Sequence, residues 1–156
     1  MTDEMKQEYT RRISQATPTL LTAIVLEVAG AYLEEAKENI ENKAVCKVAC
    51  QNALRCVQTL QNTLKMQYEV SHNLFSLYVY VESEMMRGEV KGQTKNFDNA
   101  IEVLRALQKS FETISPQDKE GSVMQNVDCV YTGLTYGSDG QGNKFLESSS
   151  ARGFFA

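Results

Sequence analysis

From Pro18 to Ile114 the apolar residues recur at three- and four-residue spacing, the pattern of amphipathic helices, and no alternating strand pattern competes with it. Thr17-Pro18 reads as a helix start, with Thr as N-cap and Pro at the first helical position, where its missing N–H costs nothing. From there Leu21, Ile24, Val25, Val28, Tyr32, Ala36 and Ile40 form one stripe, ending near Asn42. Glu34, Glu35, Lys37 and Glu38 fall on its solvated side. A second helix carries Val45, Ala49, Ala53, Val57, Leu60 and Leu64, and the very short connection between the two requires them to fold back antiparallel.

Ser71 is the expected N-cap of a third helix, with Leu74, Leu77, Tyr78, Val81 and Met85 along it and Gly88 and Gly92 at its end. A fourth is expected from about Asn96, with Asp98 in its first turn, Phe97, Ile101, Leu104, Phe111 and Ile114 inward, and Ser115-Pro116 as the stop. A short amphipathic piece from Met5 to Ile13 precedes them. Helices of about 17–25 residues with short loops predict an all-α fold, an antiparallel up-down four-helix bundle with a short N-terminal helix. Residues 1–116 then form the bundle domain. Residues 117–156 are a Gly- and Ser-containing tail expected to be mobile, apart from the apolar islands at 130–136 and Phe154-Phe155.

Within that bundle Leu64, Leu74 and Leu77 are expected to close the hairpin core. Tyr78 and Tyr80 lie about 200° apart on a helix, so only one can point inward. Tyr78 is assigned to the core and Tyr80 to a groove. Asn73 suits either a partner's backbone or the capping of its own turn.

Composition narrows the function classes. Of 156 residues, 42% are hydrophobic and 23% charged, which fits one folded domain with a single core. The net charge of −4 and scattered Lys and Arg disfavour a nucleic-acid face. No run approaches the roughly 18 apolar residues of a membrane span, and the polar start MTDEMKQEYTRR does not read as a secretory signal, so a cytoplasmic location is expected.

Candidate chemistry is sparse. Cys46, Cys50 and Cys56 share one helical segment, and Cys129 lies in the tail. On a helix Cys46 and Cys50 would place their Cβ atoms about 6 Å apart, against the roughly 3.5–4.5 Å a disulfide needs. Reduced thiols packed as small hydrophobes are expected. Glu69 and His72 have the Glu-x-x-His spacing of dimetal bundles, but His72 is the sole histidine and Ser71 reads as a cap, so no metal is assigned. Phosphate-cradling and dinucleotide glycine motifs are missing, and no third group is identifiable to orient a Cys–His72 pair. Neither an enzymatic role nor a cofactor is expected. What stands out instead is excess apolar surface: Val45, Val48, Phe75, Val79 and Tyr80 exceed the roughly three positions in seven a bundle helix turns inward. Either partner helices, or the N-terminal helix and the tail, must cover it.

Several of these residues, taken in order, resemble a known family. Thr63-Leu64, Tyr68-Glu69, Ser71, Asn73-Leu74 and Leu77-Tyr78-Val79-Tyr80 resemble the FliS-type flagellar export chaperones. So do Tyr9, the Gln15-Ala16-Thr17-Pro18 lead into the first long helix, Leu21, Leu33 and Ala36, and the likeness spans about residues 5–115. The tail phrase Val130-Tyr131-Thr132-Gly133-Leu134-Thr135-Tyr136-Gly137 and the closing Arg152-Gly153-Phe154 resemble extensions of clostridial members. The resemblance implies a bundle that holds the disordered C-terminal segment of flagellin in hydrophobic grooves, where it becomes helical. Such a chaperone prevents premature polymerisation and delivers its client to the export gate, without a nucleotide site of its own.

The resemblance, with the excess apolar surface, gives as partner-binding residues Tyr9, Leu26, Glu27, Asn62, Met66, Tyr68, Ser71, Asn73, Phe75 and Tyr80. The N-terminal segment can occupy part of that surface. The expected state is a monomer or weak dimer. Departures from the family pattern are Val25-Leu26-Glu27-Val28 in place of Leu-Tyr-Asp-Gly, Gly88-Glu89 in place of Ala-Asn, and Ser83 and Glu84 in place of basic residues. They leave room for another flagellar regulator or assembly protein as client, beside the third alternative of a metal site shared across a dimer by Glu69 and His72.

Overall fold

Helix caps set the element boundaries in the computed structural model, which describes residues 1–118. Helix α1 spans Asp3–Ser14, α2 Pro18–Glu38, α3 Lys43–Thr63, α4 Glu69–Lys91 and α5 Thr94–Ile114, followed by one 3-10 turn at Ser115–Gln117. Among the described residues there is no strand. The Gly- and Ser-containing tail from residue 119, with Cys129 and the two apolar islands, lies outside the described residues.

Thr17 caps α2 as expected, its hydroxyl accepting the Leu20 N–H at 3.4 Å. Asn42 does the same for α3 through Val45. Gly92, at φ 63°, takes the left-handed conformation that closes α4, with its N–H on the Gly88 carbonyl at 2.9 Å.

Three expected boundaries shift. Helix α4 begins at Glu69 after Tyr68, with no side-chain cap, and Ser71 is buried inside its first turn. A backbone turn that puts the Tyr68 N–H on the Lys65 carbonyl at 3.1 Å delivers the chain to the helix. Gly88 does not end α4 but sits buried within it, under the ring of Phe97. Helix α5 starts at Thr94 rather than Asn96, so Asp98 lies beyond the first turn and pairs with Lys37 Nζ of α2 at 2.6 Å.

Helix α2 is the centre of the fold, packing against α3 on one side and α5 on the other. Helix α4 closes the square, more closely joined to α5 than to α3. With α3 and α5 on its sides and α1 across a third, α2 buries Leu26, Ala29 and Leu33 as well as Ile24, Val25 and Ala36. Its core therefore wraps further round than the single sequence stripe. The main core joins all of these except Ile24 to Cys50, Ala53, Val57 and Leu60 of α3, Tyr78, Val81 and Met85 of α4, and Phe97, Ile101 and Leu104 of α5. Leu64 and Leu74 pack at its edge. Leu77, expected inside, is 38% exposed, because it lies at the margin of the arc that Tyr78, Val81, Met85 and Gly88 turn inward. Ile114 is exposed at the end of α5.

The described chain ends on a clamp. The Asp118 carboxylate accepts the Thr19 N–H at 3.1 Å and the Thr19 hydroxyl, so it caps the first turn of α2. Burial opposes its charge, but hydrogen bonds from Thr17 and Thr19 outweigh that and hold the carboxyl below its ordinary value. Asp118→Ala is expected to cost about 1 kcal/mol, as other cap removals do. Urea unfolding should show a lower midpoint with an unchanged slope; an unchanged midpoint would mean the clamp contributes nothing.

Candidate functional site

Two surfaces carry the residues that the sequence singled out. The first follows α4 and the connection before it. At its lower corner Asn62 lies exposed in the last turn of α3, and Met66, Tyr68 and Val70 stand exposed around the turn that follows. Above that corner, helical geometry divides the outward residues of α4 into two strips. Phe75, Val79, Met86 and Val90 fall within an arc of about 60°, and Asn73, Leu77 and Tyr80 within another arc of similar width. All seven are exposed, with Met86 at 64% and Val90 at 85%. Phe75 and Tyr80, both nominated from the sequence, lie about 140° apart and belong to different strips.

Tyr78 is inward at 1% exposure and Tyr80 outward at 42%. Asn73 lies inside α4, not at its cap. Val70, Met86 and Val90 were not nominated from the sequence. The repeat of four, seven and four residues from Phe75 to Val90 is the signal that could have found the latter two.

The second surface lies where α1 crosses α2. Ile13 and Ala16 pack on Ile24, flanked by Tyr9, Leu20, Leu21 and Val28. Glu27 is the polar centre. Arg12 holds it with two parallel bonds of 2.9 and 2.7 Å, and the Tyr9 hydroxyl donates to the same carboxylate at 3.4 Å. Arg12 also lies 5.7 Å from the centre of the Tyr9 ring. Burial, reinforced by the Glu27 charge, raises the Tyr9 hydroxyl above its ordinary value. Between α1 and the α2–α5 face is a cavity of about 570 Å³ lined by Met5, Tyr9, Leu26, Glu27, Arg105 and Gln108 among others.

Two nominated residues are buried. Leu26 is 0% exposed and Ser71 5%, so neither can touch a partner in this arrangement. Leu26 belongs to the main core and to the wall of the cavity under α1. The nominated residues therefore form two separate groups. Tyr9 and Glu27 meet at α1, while Asn62, Met66, Tyr68, Asn73, Phe75 and Tyr80 spread over α4 and its approach.

Cys46, Cys50 and Cys56 are free and buried. Burial pushes the Cys50 and Cys56 thiols up to about 12, leaving them protonated and apolar in behaviour. Glu69 and His72 do share a continuous helix, but no group of three or more His, Cys, Asp or Glu among the described residues is placed to hold a metal ion. No helix among them is long and apolar enough to cross a membrane. The arrangement offers exposed apolar strips on a rigid bundle, which suits holding another chain.

Comparison with known families agrees with that geometry. The family described as "Flagellar protein FliS" matches residues 1–118, the whole of the described bundle. The chain belongs to the FliS family. Membership carries a flagellar chaperone role, and the FliS match ends where the tail begins. No curated protein matches the chain.

Proposed function

We propose that this FliS-family bundle binds the disordered C-terminal segment of flagellin in the bacterial cytosol. It keeps the segment from polymerising and hands it to the flagellar type III export gate. The observation that carries the reading is the apolar surface exposed along α4, with Phe75, Val79, Met86 and Val90 in one strip and Leu77 and Tyr80 in the other, on a helix whose inward face is already filled. A client segment that folds as an amphipathic helix can lay its apolar face along such a strip. Ordering costs the client conformational entropy, so a large contact gives only moderate affinity, which suits a cargo that must later be released. Helix α1 serves as an internal cover in this reading. Tyr9 and Arg12 hold it on Glu27, and its departure would uncover Leu26 and the cavity wall for the client.

Calorimetric titration with the flagellin C-terminal segment from the same cell tests the proposal, with circular dichroism reading the gain in helix. Absence of both heat and added helicity would overturn it. Within that assay Tyr80→Glu is expected to weaken binding at least about tenfold, since aromatic contacts at interface centres contribute about 2 kcal/mol or more. Thermal unfolding should stay nearly unchanged, because Tyr80 is exposed in the free protein. A collapse of stability instead would place Tyr80 in the core.

A further inference from the structure

The strip formed by Phe75, Val79, Met86 and Val90 is exposed along α4, outside the arc that the helix turns into the core. The chain also carries an apolar segment with a short path to it. Asp118 is fixed to Thr19 at the start of α2, and the up-down topology puts that end of the bundle beside the start of α4. Residues 119–129 can bridge up to about 36–40 Å, whereas neighbouring helix axes lie only about 8–10 Å apart. Residues 130–136, Val-Tyr-Thr-Gly-Leu-Thr-Tyr, contain no charge, so burying them against an apolar strip desolvates no ionised group. Lengths agree as well. Seven extended residues cover about 20–23 Å, and Phe75 to Val90 rises about 22 Å along α4.

We propose that residues 130–136 dock along this strip, with Val130 toward Phe75 and Tyr136 toward Val90. The tether supplies the segment at an effective concentration on the order of millimolar, so a weak intrinsic contact is enough to fill the strip. The docking holds whether or not flagellin is the client, and it makes the tail the first competitor for that face.

Cys129, immediately before the segment, provides the test. His72 is exposed on the same side of α4 as Phe75 and Val79, one turn before Phe75. Full-length protein carrying His72→Cys, incubated with oxidised glutathione, should form an intrachain disulfide between the introduced thiol and Cys129, read by mass spectrometry after digestion. The buried native thiols are silent. Lys109→Cys, on the exposed side of α5 and near Asp118 along the chain, is the control within reach of the same tether. The yield at position 72 should exceed the control roughly tenfold or more if tethered docking is specific. Adding Val79→Asp should bring it down to the control level, with circular dichroism verifying the fold. Equal yields at the two positions, or a yield untouched by Val79→Asp, would overturn the proposal. So would disulfides that form only between chains and grow with protein concentration, which would make the strip an interface between copies.

Discussion

Phe97→Ala is expected to cost about 3–5 kcal/mol of stability, the range for removing a fully buried aromatic side chain. Phe97 is 0% exposed and enters from the first turn of α5 against Gly88 of α4. A Cβ added at Gly88 would stand 2.9–3.0 Å from three atoms of the ring, closer than carbon atoms tolerate. Glycine inside a helix is otherwise unfavourable by about 1 kcal/mol relative to alanine. Its presence here is explained by the ring. The two residues must therefore be coupled, and the sign of a second substitution tests it. Gly88→Ala should destabilise the native protein, because overpacking a filled core costs about 1–3 kcal/mol. In the Phe97→Ala background the same change should stabilise by about 1 kcal/mol, since only the helix preference remains. Urea unfolding of the four proteins gives the cycle. Gly88→Ala stabilising in both backgrounds would show that the ring does not rest on Gly88. The contact matters for function because it fixes the rotation of α4, and that rotation decides which strips face outward.

The contact also marks where sequence reasoning stops. Spacing located the four long helices, Thr17-Pro18 as a start, Gly92 as an end, and Tyr78 as inward, because each follows from local chemistry on one segment. Gly88 looked like a terminator since glycine is read locally, whereas its reason is a ring nine residues further on, on another helix. Ser71 had the right side chain for a cap, but the turn at Lys65–Tyr68 closes through backbone bonds and leaves Ser71 buried. Leu26 was apolar and resembled a family site, yet α2 is covered on three sides and has no outward place for it at that level. Of the candidate surface, the exposed aromatics were legible as apolar residues in excess of one core stripe. Their division into two strips was not, because the inward arc of α4 depends on what α5 brings against it.

Glu84→Ala should cost about 2–3 kcal/mol, because it removes the buried acceptor shared by the half-buried Asn96 and Asn99 donors. This carboxylate is 3% exposed, at the α4–α5 contact. It accepts from Asn96 at 2.9 Å, Asn99 at 3.0 Å and Arg87 at 2.9 Å. Bonds from Asn99 and Asn96, aided by Arg87, outweigh burial and hold its pKa below the ordinary 4.5. The sign for pH follows. A carboxylate depressed in the folded state stabilises the protein above its unfolded pKa, and that share is lost as pH falls through the folded value. Stability should therefore decline as the solution is acidified below 4.5, and the decline should be shallower in Glu84→Gln, which cannot titrate. Asp118, also depressed, contributes acid sensitivity to both proteins, so only the difference between them belongs to Glu84. Near neutral pH Glu84→Gln should still lose about 1–2 kcal/mol, because its amide keeps one acceptor oxygen where the carboxylate had two, and a donor then faces either Arg87 or the asparagine pair. Equal acid slopes in the two proteins would mean that Glu84 titrates alike in the folded and unfolded chains, so that the network does not favour its charged form.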